Sequence, residues 1–135
     1  MNPTTSTKPK KIIIIEDDAL LRESIFQNLT LKGFTVGTAS DGETGLQKII
    51  SEQPDAIIID VMLPKKNGFA VIKEFHDIQP QSSTQIIMLT DLDDMQYAAT
   101  AIEAKVFSYI IKSDHSLEGL AILIEKQLNG TASAT

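Results

Sequence analysis

Residues Lys11–Asp18 read KIIIIEDD, four consecutive isoleucines that stop abruptly in three acids. A β-branched run without polar alternation suits a strand covered on both faces, and such strands belong to parallel sheets between helix layers. Two further runs repeat it, Ala56–Asp60 (AIIID) and Gln85–Leu89 (QIIML), while Phe34–Ala39 reads as a weaker strand and Val106–Ile111 as the fifth. Helical spacing fills every interval. Ala19–Lys32 carries Leu21, Ile25 and Leu29, and Asp41 caps a helix through about Glu52. Asn67 or Gly68 opens a third helix with Phe69, Ile72 and Phe75 or His76 on one side. Asp91–Lys105 is an Ala-rich helix expected to turn Met95, Ala98, Ala99 and Ile102 inward. Ser116–Leu128 closes the pattern with Leu120, Ile124 and Leu128. Strict strand–helix alternation with short connections predicts right-handed crossovers and a doubly wound α/β domain, a (βα)5 parallel five-stranded sheet.

Composition fits one such domain. With 135 residues, 42% hydrophobic and 22% charged, the chain can bury a core without disulfides, and it has no cysteine to form one. The domain is expected over residues 11–129, with disordered tails at 1–10 and 130–135. The longest apolar runs are too short to span a bilayer, and the first eleven residues lack the apolar core of a secretory signal. A cytoplasmic location without membrane contact is the expectation. A net charge of −6 argues against nucleic acid as a direct partner. Lys8, Lys10 and Lys11 form the one basic cluster, read as a solubilising flank.

In an open α/β sheet, ligands sit beyond the carboxyl ends of the strands. Here those ends are Glu16-Asp17-Asp18, Asp60, Thr90 and Lys112. Two like charges about 4 Å apart repel by roughly 4 kcal/mol at an effective dielectric near 20, so acids converging on one edge need a cation. An all-oxygen set without His or Cys suits magnesium. The constellation fits phosphoryl transfer, with Asp60 as nucleophile, Lys112 as cationic clamp and Thr90 as hydroxyl donor. Each residue alone has a plainer use. Asp60 could be a turn acid, Thr90 a helix cap, and Tyr109 an ordinary core or edge tyrosine. Asp18 reads as an N-cap. Pro64 and Gly68 are loop formers, and His76 and His115 lack partners at metal-ligand spacing.

The segments KIIIIEDD, IIIDVMLPKKNG, IIMLT and YIIK make the chain resemble the receiver domain of two-component response regulators, from Lys11 to about Leu128. The spacing of 30 residues from Asp60 to Thr90 and 22 from Thr90 to Lys112 agrees. The resemblance implies a flavodoxin-like strand order, 2-1-3-4-5. It implies transfer from a histidine kinase or histidine phosphotransfer protein to Asp60, catalysed by the domain on itself alone. Glu16, Asp17 and Asp60 would hold Mg2+, with the Met62 backbone carbonyl as a further ligand. Thr90 and Tyr109 would be the switch pair. The output surface would be the fourth helix, fifth strand and fifth helix, facing a downstream protein or a second copy.

The chain departs from the family pattern at two positions. Ser113 stands where many receivers have a cis proline, and a trans bond is expected there. Asp91 stands where the family usually has a small residue, and it could hinder an anionic donor, compete for the metal, or point outward. The bulk of Met62 and Leu92 is expected to slow loss of the phosphoryl group. Three other readings compete. An aspartyl-phosphate phosphatase would have an acid at Met62 and a cap. A flavodoxin-like carrier would have a Ser-, Thr- and Gly-rich first loop. A phosphorylation-independent pseudo-receiver, acting as an interaction module, stays open through Asp91 and Ser113. The chain reads as a stand-alone regulator or as a receiver cut from a longer protein.

Overall fold

The computed structural model describes residues 10–91 and 95–130. The elements run β1 (Lys11–Ile15), α1 (Ala19–Leu31), β2 (Thr35–Ala39), α2 (Gly42–Glu52), β3 (Ala56–Asp60), α3 (Gly68–Ile78), β4 (Gln85–Thr90), α4 (Met95–Glu103), β5 (Ser108–Ile111), a 3-10 turn (Lys112–Asp114) and α5 (Leu117–Leu128). All pairings are parallel and the sheet order is β2-β1-β3-β4-β5, as expected. Of the two expected tails, 1–9 and 131–135 lie outside the described residues. Lys10 and Gly130 are described, and Lys10 joins the fold. Its carbonyl accepts from Thr35 N, and its Nζ donates to the Leu128 carbonyl.

Strand alternation divides the core into two layers. Ile12, Ile14, Ile58, Ile87, Leu89 and Ile110 meet α1 and α5 on one face. Ile13, Ile15, Ile57, Ile59, Ile86 and Met88 meet α2 and α3 on the other. The expected core positions of α1 and α5 are buried: Leu21, Ile25, Leu29, Leu120, Ile124 and Leu128. On α3, Ile72 and Phe75 are buried, joined by Val71. Polar caps start the helices where the sequence places them. Asp18 accepts from Leu20 N and Leu21 N, Asp41 from Thr44 N, Asn67 from Ala70 N, and Ser116 from Gly119 N.

The expected inward face of α4 is corrected by one residue. Ile102 is 78% exposed and Ala99 is also exposed, whereas Ala101 is buried and Ala98 partly so. Alanine carries little side chain to mark a face, so 3.6-residue spacing fits two adjacent stripes almost equally well, and contact with the sheet selects one. Residues 92–94 of the expected helix, and the side chain of Met95, lie outside the described residues. β5 begins at Ser108 rather than Val106. Lys105 takes a left-handed φ of 60°, and Val106 N bonds back to the Ala101 carbonyl, so this stretch ends α4 instead of opening the strand.

Candidate functional site

The same period-two alternation that builds the core also builds the site. Glu16, Asp60 and Lys112 each fall an even number of residues beyond Ile14, Ile58 and Ile110, which face α1 and α5. The three therefore share one pleat face at the carboxyl edge of the sheet. Glu16 is fully buried, its backbone extending the ladder through Glu16 N to the Ala39 carbonyl. Asp60 is buried as well. Lys112, with its side chain 11% exposed, donates to Glu16 Oε1 at 3.2 Å and to Asp60 Oδ2 at 2.8 Å. One ammonium thus bridges two buried carboxylates from strands that are neighbours in the sheet.

The loops are fastened around this bridge. Met62 N donates to Asp60 Oδ1 at 3.0 Å, and Asp18 N to Glu16 Oε2 at 3.0 Å. Arg22 Nη1 donates to the Glu16 carbonyl at 2.8 Å, fixing the turn that presents Asp17 at the surface. Arg22 carries no signal in the sequence, because its partner lies off the helix. Two glycines hold the loop after β3 by close approach. A Cβ on Gly68 would stand 2.3 Å from the Asp60 carbonyl oxygen, and one on Gly42 would stand 1.8 Å from the Lys66 carbonyl oxygen. Gly68 therefore serves close approach. A pair between Lys66 and Glu74 anchors the same loop to α3.

Thr90 ends β4 fully buried, opposite Ile111 and next to the turn that begins at Lys112. By the alternation it lies on the other pleat face, with Met88. Tyr109 pairs with Met88 and packs half-buried on that same layer, one pleat back from Thr90. No peptide bond among the described residues is cis, so Lys112–Ser113 is trans, as expected. Asp91 is exposed, with Oδ2 4.0 Å from Lys112 Nζ. Met62 turns its side chain largely outward, and Leu92 lies outside the described residues. His76 is half-buried against Phe75, and His115 is exposed.

Electrostatics mark the bridge as short of positive charge. Burial, and next the charge of Asp60, push the Glu16 carboxyl up to about 8, with Lys112 only partly opposing them. Burial alone would lower the Lys112 ammonium, but its hydrogen bond to Asp60 and the two negative charges outweigh this and hold it above its ordinary value. Glu16, Asp17 and Asp60 can each bring one oxygen within 4.8 Å of the others. A hard, all-oxygen, negatively charged set with one ammonium beside it is chemically suited to a divalent cation such as Mg2+. A cavity of about 190 Å3 opens beside Lys112, lined by Asp18, Asp91, Ser113 and Leu117 among others. Larger concavities lie elsewhere, such as the groove of about 590 Å3 between α3 and α4, but the carboxylate cluster is not there.

Among the described residues, no helix is long and apolar enough to cross a membrane. Comparison with known proteins agrees with the geometry. The chain is similar to the probable transcriptional regulator ycf27 of Guillardia theta, 35% identical over 125 residues, covering 91% of this chain and 48% of that protein. It is also 35% identical over 124 residues to an uncharacterized response regulatory protein of Staphylococcus epidermidis, covering 87% of this chain and 48% of that one. The chain thus spans about half the length of the curated relatives it matches. Among solved structures, a CheY-like response regulator receiver domain protein from Methanospirillum hungatei superposes with a TM-score of 0.78 at 26% identity, over 91% of this chain and 96% of that one. The model of the response regulator receiver domain matches residues 12–123. The strand order, the edge on which the acids and the ammonium converge, and this match over most of the chain agree: the protein belongs to the response regulator receiver domain family of two-component systems.

Proposed function

We propose that this chain is a phosphorylation-operated signalling switch in which Asp60 accepts the phosphoryl group. The observation that carries the reading is the Lys112 ammonium held between Asp60 and Glu16 at the sheet edge. Family membership makes a histidine kinase the general class of partner, and a phosphohistidine of that kinase or of a phosphotransfer protein is the proposed donor. An Asp60 carboxylate oxygen attacks phosphorus, the P–N bond breaks, and its electron pair leaves with the imidazole nitrogen. Glu16, Asp17, Asp60 and the Met62 carbonyl are the proposed Mg2+ ligands, and the bound ion supplies positive charge against the phosphoryl oxygens. Lys112 is freed from Asp60 as that carboxylate becomes an acyl phosphate, a mixed anhydride, and turns to the phosphoryl group. The Thr90 hydroxyl and the Met62 amide, already at Asp60 Oδ1, are further donors to the same oxygens.

The product carries about −1.5 to −2 charges at neutral pH, enough to draw Thr90 toward the site. Tyr109, one pleat back on the same layer, follows into the space that Thr90 leaves. The surface of α4, β5 and α5 then changes toward a protein target or a second copy. A hundredfold shift between two pre-existing states needs roughly 2.7 kcal/mol of differential contact. The relatives named as transcriptional regulators are about twice as long. For the part matched here, with a net charge of −6 in the chain, we propose contact with protein rather than nucleic acid, in the cytoplasm.

Incubation with Mg2+ and a small acyl phosphate, followed by intact mass, tests the reading. One phosphoryl adduct is expected in the wild type and none in Asp60→Asn. No adduct would favour a phosphorylation-independent module, and an adduct that survives the substitution would refute Asp60 as the acceptor.

A further inference from the structure

Lys112 faces three carboxylates, and the third has no part in the proposed transfer. Asp91 directly follows Thr90, and its Oδ2 stands 4.0 Å from Lys112 Nζ. Glu16 and Asp60 are buried beside the same ammonium, whereas the Asp91 side chain is 72% exposed. Since Lys112 Nζ lies 2.8 Å from Asp60 Oδ2, Asp91 Oδ2 can be no more than roughly 7 Å from that oxygen. This is inside one Debye length, about 8–10 Å at ordinary salt. The cavity beside Lys112 carries two acids on its wall, Asp18 and Asp91, against Lys112 and His115. Asp18 is exposed as well, but its Oδ1 is engaged in capping α1, and of the two acids it is Asp91 that stands within ion-pair distance of Lys112.

We propose that Asp91 is a specificity-determining residue that disfavours small, freely diffusing dianionic phosphodonors. The inference rests on Asp60 being the acceptor. An acyl phosphate reacts as an Asp60 oxygen bonds to phosphorus while the bond from phosphorus to the acyl oxygen breaks, its electron pair leaving with the carboxylate. Asp91 takes no part in these bond changes. Its charge repels the donor on approach and competes with the incoming phosphoryl group for Lys112. The repulsion scales with donor charge. At roughly 6 Å in a dielectric near that of water, one charge against two amounts to about tenfold in rate without salt and about fourfold at 0.1 M. A protein donor brings contacts of its own that offset so small a barrier, so the residue filters small metabolic anions more than a docked partner.

The test compares Asp91→Asn with wild type at saturating Mg2+, following adduct formation by intact mass with acetyl phosphate, a dianion, and phosphoramidate, a monoanion. Expected is a gain of about four- to tenfold with acetyl phosphate at low salt, about the square root of that with phosphoramidate, and little gain at high salt. Asp77→Asn makes the same charge change at an exposed acid at the far end of α3, paired with Lys73, and should give no gain. Removing a negative charge weakens Mg2+ binding, so tighter metal cannot mimic the result. Equal gains with both donors, a gain that survives high salt, or no gain would overturn the assignment of Asp91 alone. No adduct in wild type with either donor would overturn the acceptor reading beneath it.

Discussion

Lys112→Met removes the ammonium while nearly keeping its length, and so leaves Glu16 and Asp60 buried without their shared cation. Its Nζ sits 3.2 and 2.8 Å from the two carboxylates, with the lysine side chain only 11% exposed. Removing one partner of a buried pair costs about 3–5 kcal/mol, because the remaining charge is uncompensated. Protonation limits that loss. The Glu16 carboxyl stands at about 8, against an ordinary 4.5, and without Lys112 it rises further, so near pH 5.5 it is neutral in both proteins. The sign follows from linkage. A carboxyl raised on folding stabilises fully below its unfolded value, and that stability is lost as pH climbs through the folded value. A lysine raised on folding contributes fully up to its own unfolded value near 10.5, so its contribution is intact throughout this window. In metal-free urea unfolding the deficit of Lys112→Met should be about 1–2 kcal/mol at pH 5.5 and about 3 or more at pH 8.5. Added Mg2+ should recover much of it by replacing the missing charge. A deficit below about 1 kcal/mol at pH 8.5, or one larger at pH 5.5, would refute the claim that this ammonium offsets the buried acids.

Four further outcomes follow from the same geometry. With Glu16 in the proposed Mg2+ site, binding would displace its proton, so calorimetric affinity should rise about tenfold per pH unit from pH 6 to 8 and level off above; a flat profile would count against it. Gly42→Ala should destabilise by about 1–3 kcal/mol in thermal melts, because its Cβ would meet the Lys66 carbonyl oxygen at 1.8 Å. Ile102→Ser should change stability by less than about 0.5 kcal/mol, since Ile102 is exposed, whereas Ile124→Ala should cost about 2–5.

The elements that could be read from the chain are those whose side chains leave no choice. Isoleucine runs must be buried on both faces, and Asp18, Asp41 and Ser116 stand where unpaired helix amides need acceptors. The inward face of α4 could not be read, since an alanine-rich repeat marks two stripes and only the sheet beneath selects one. Arg22 and Gly42 were equally silent. Arg22 binds a carbonyl on a preceding loop, and Gly42 matters through the backbone of Lys66, on a loop far along the chain.

By itself the sequence determined that Glu16, Asp60, Thr90 and Lys112 end strands of one parallel sheet, and hence that they gather on one edge. That follows from strand polarity, which local pattern encodes. Only the tertiary structure decided how they meet: one ammonium between Glu16 and Asp60, Thr90 and Tyr109 on the opposite pleat, and Asp91 at the mouth. Those relations depend on register and loop path between strands far apart in the chain, where a shift of one residue turns every side chain to the other face.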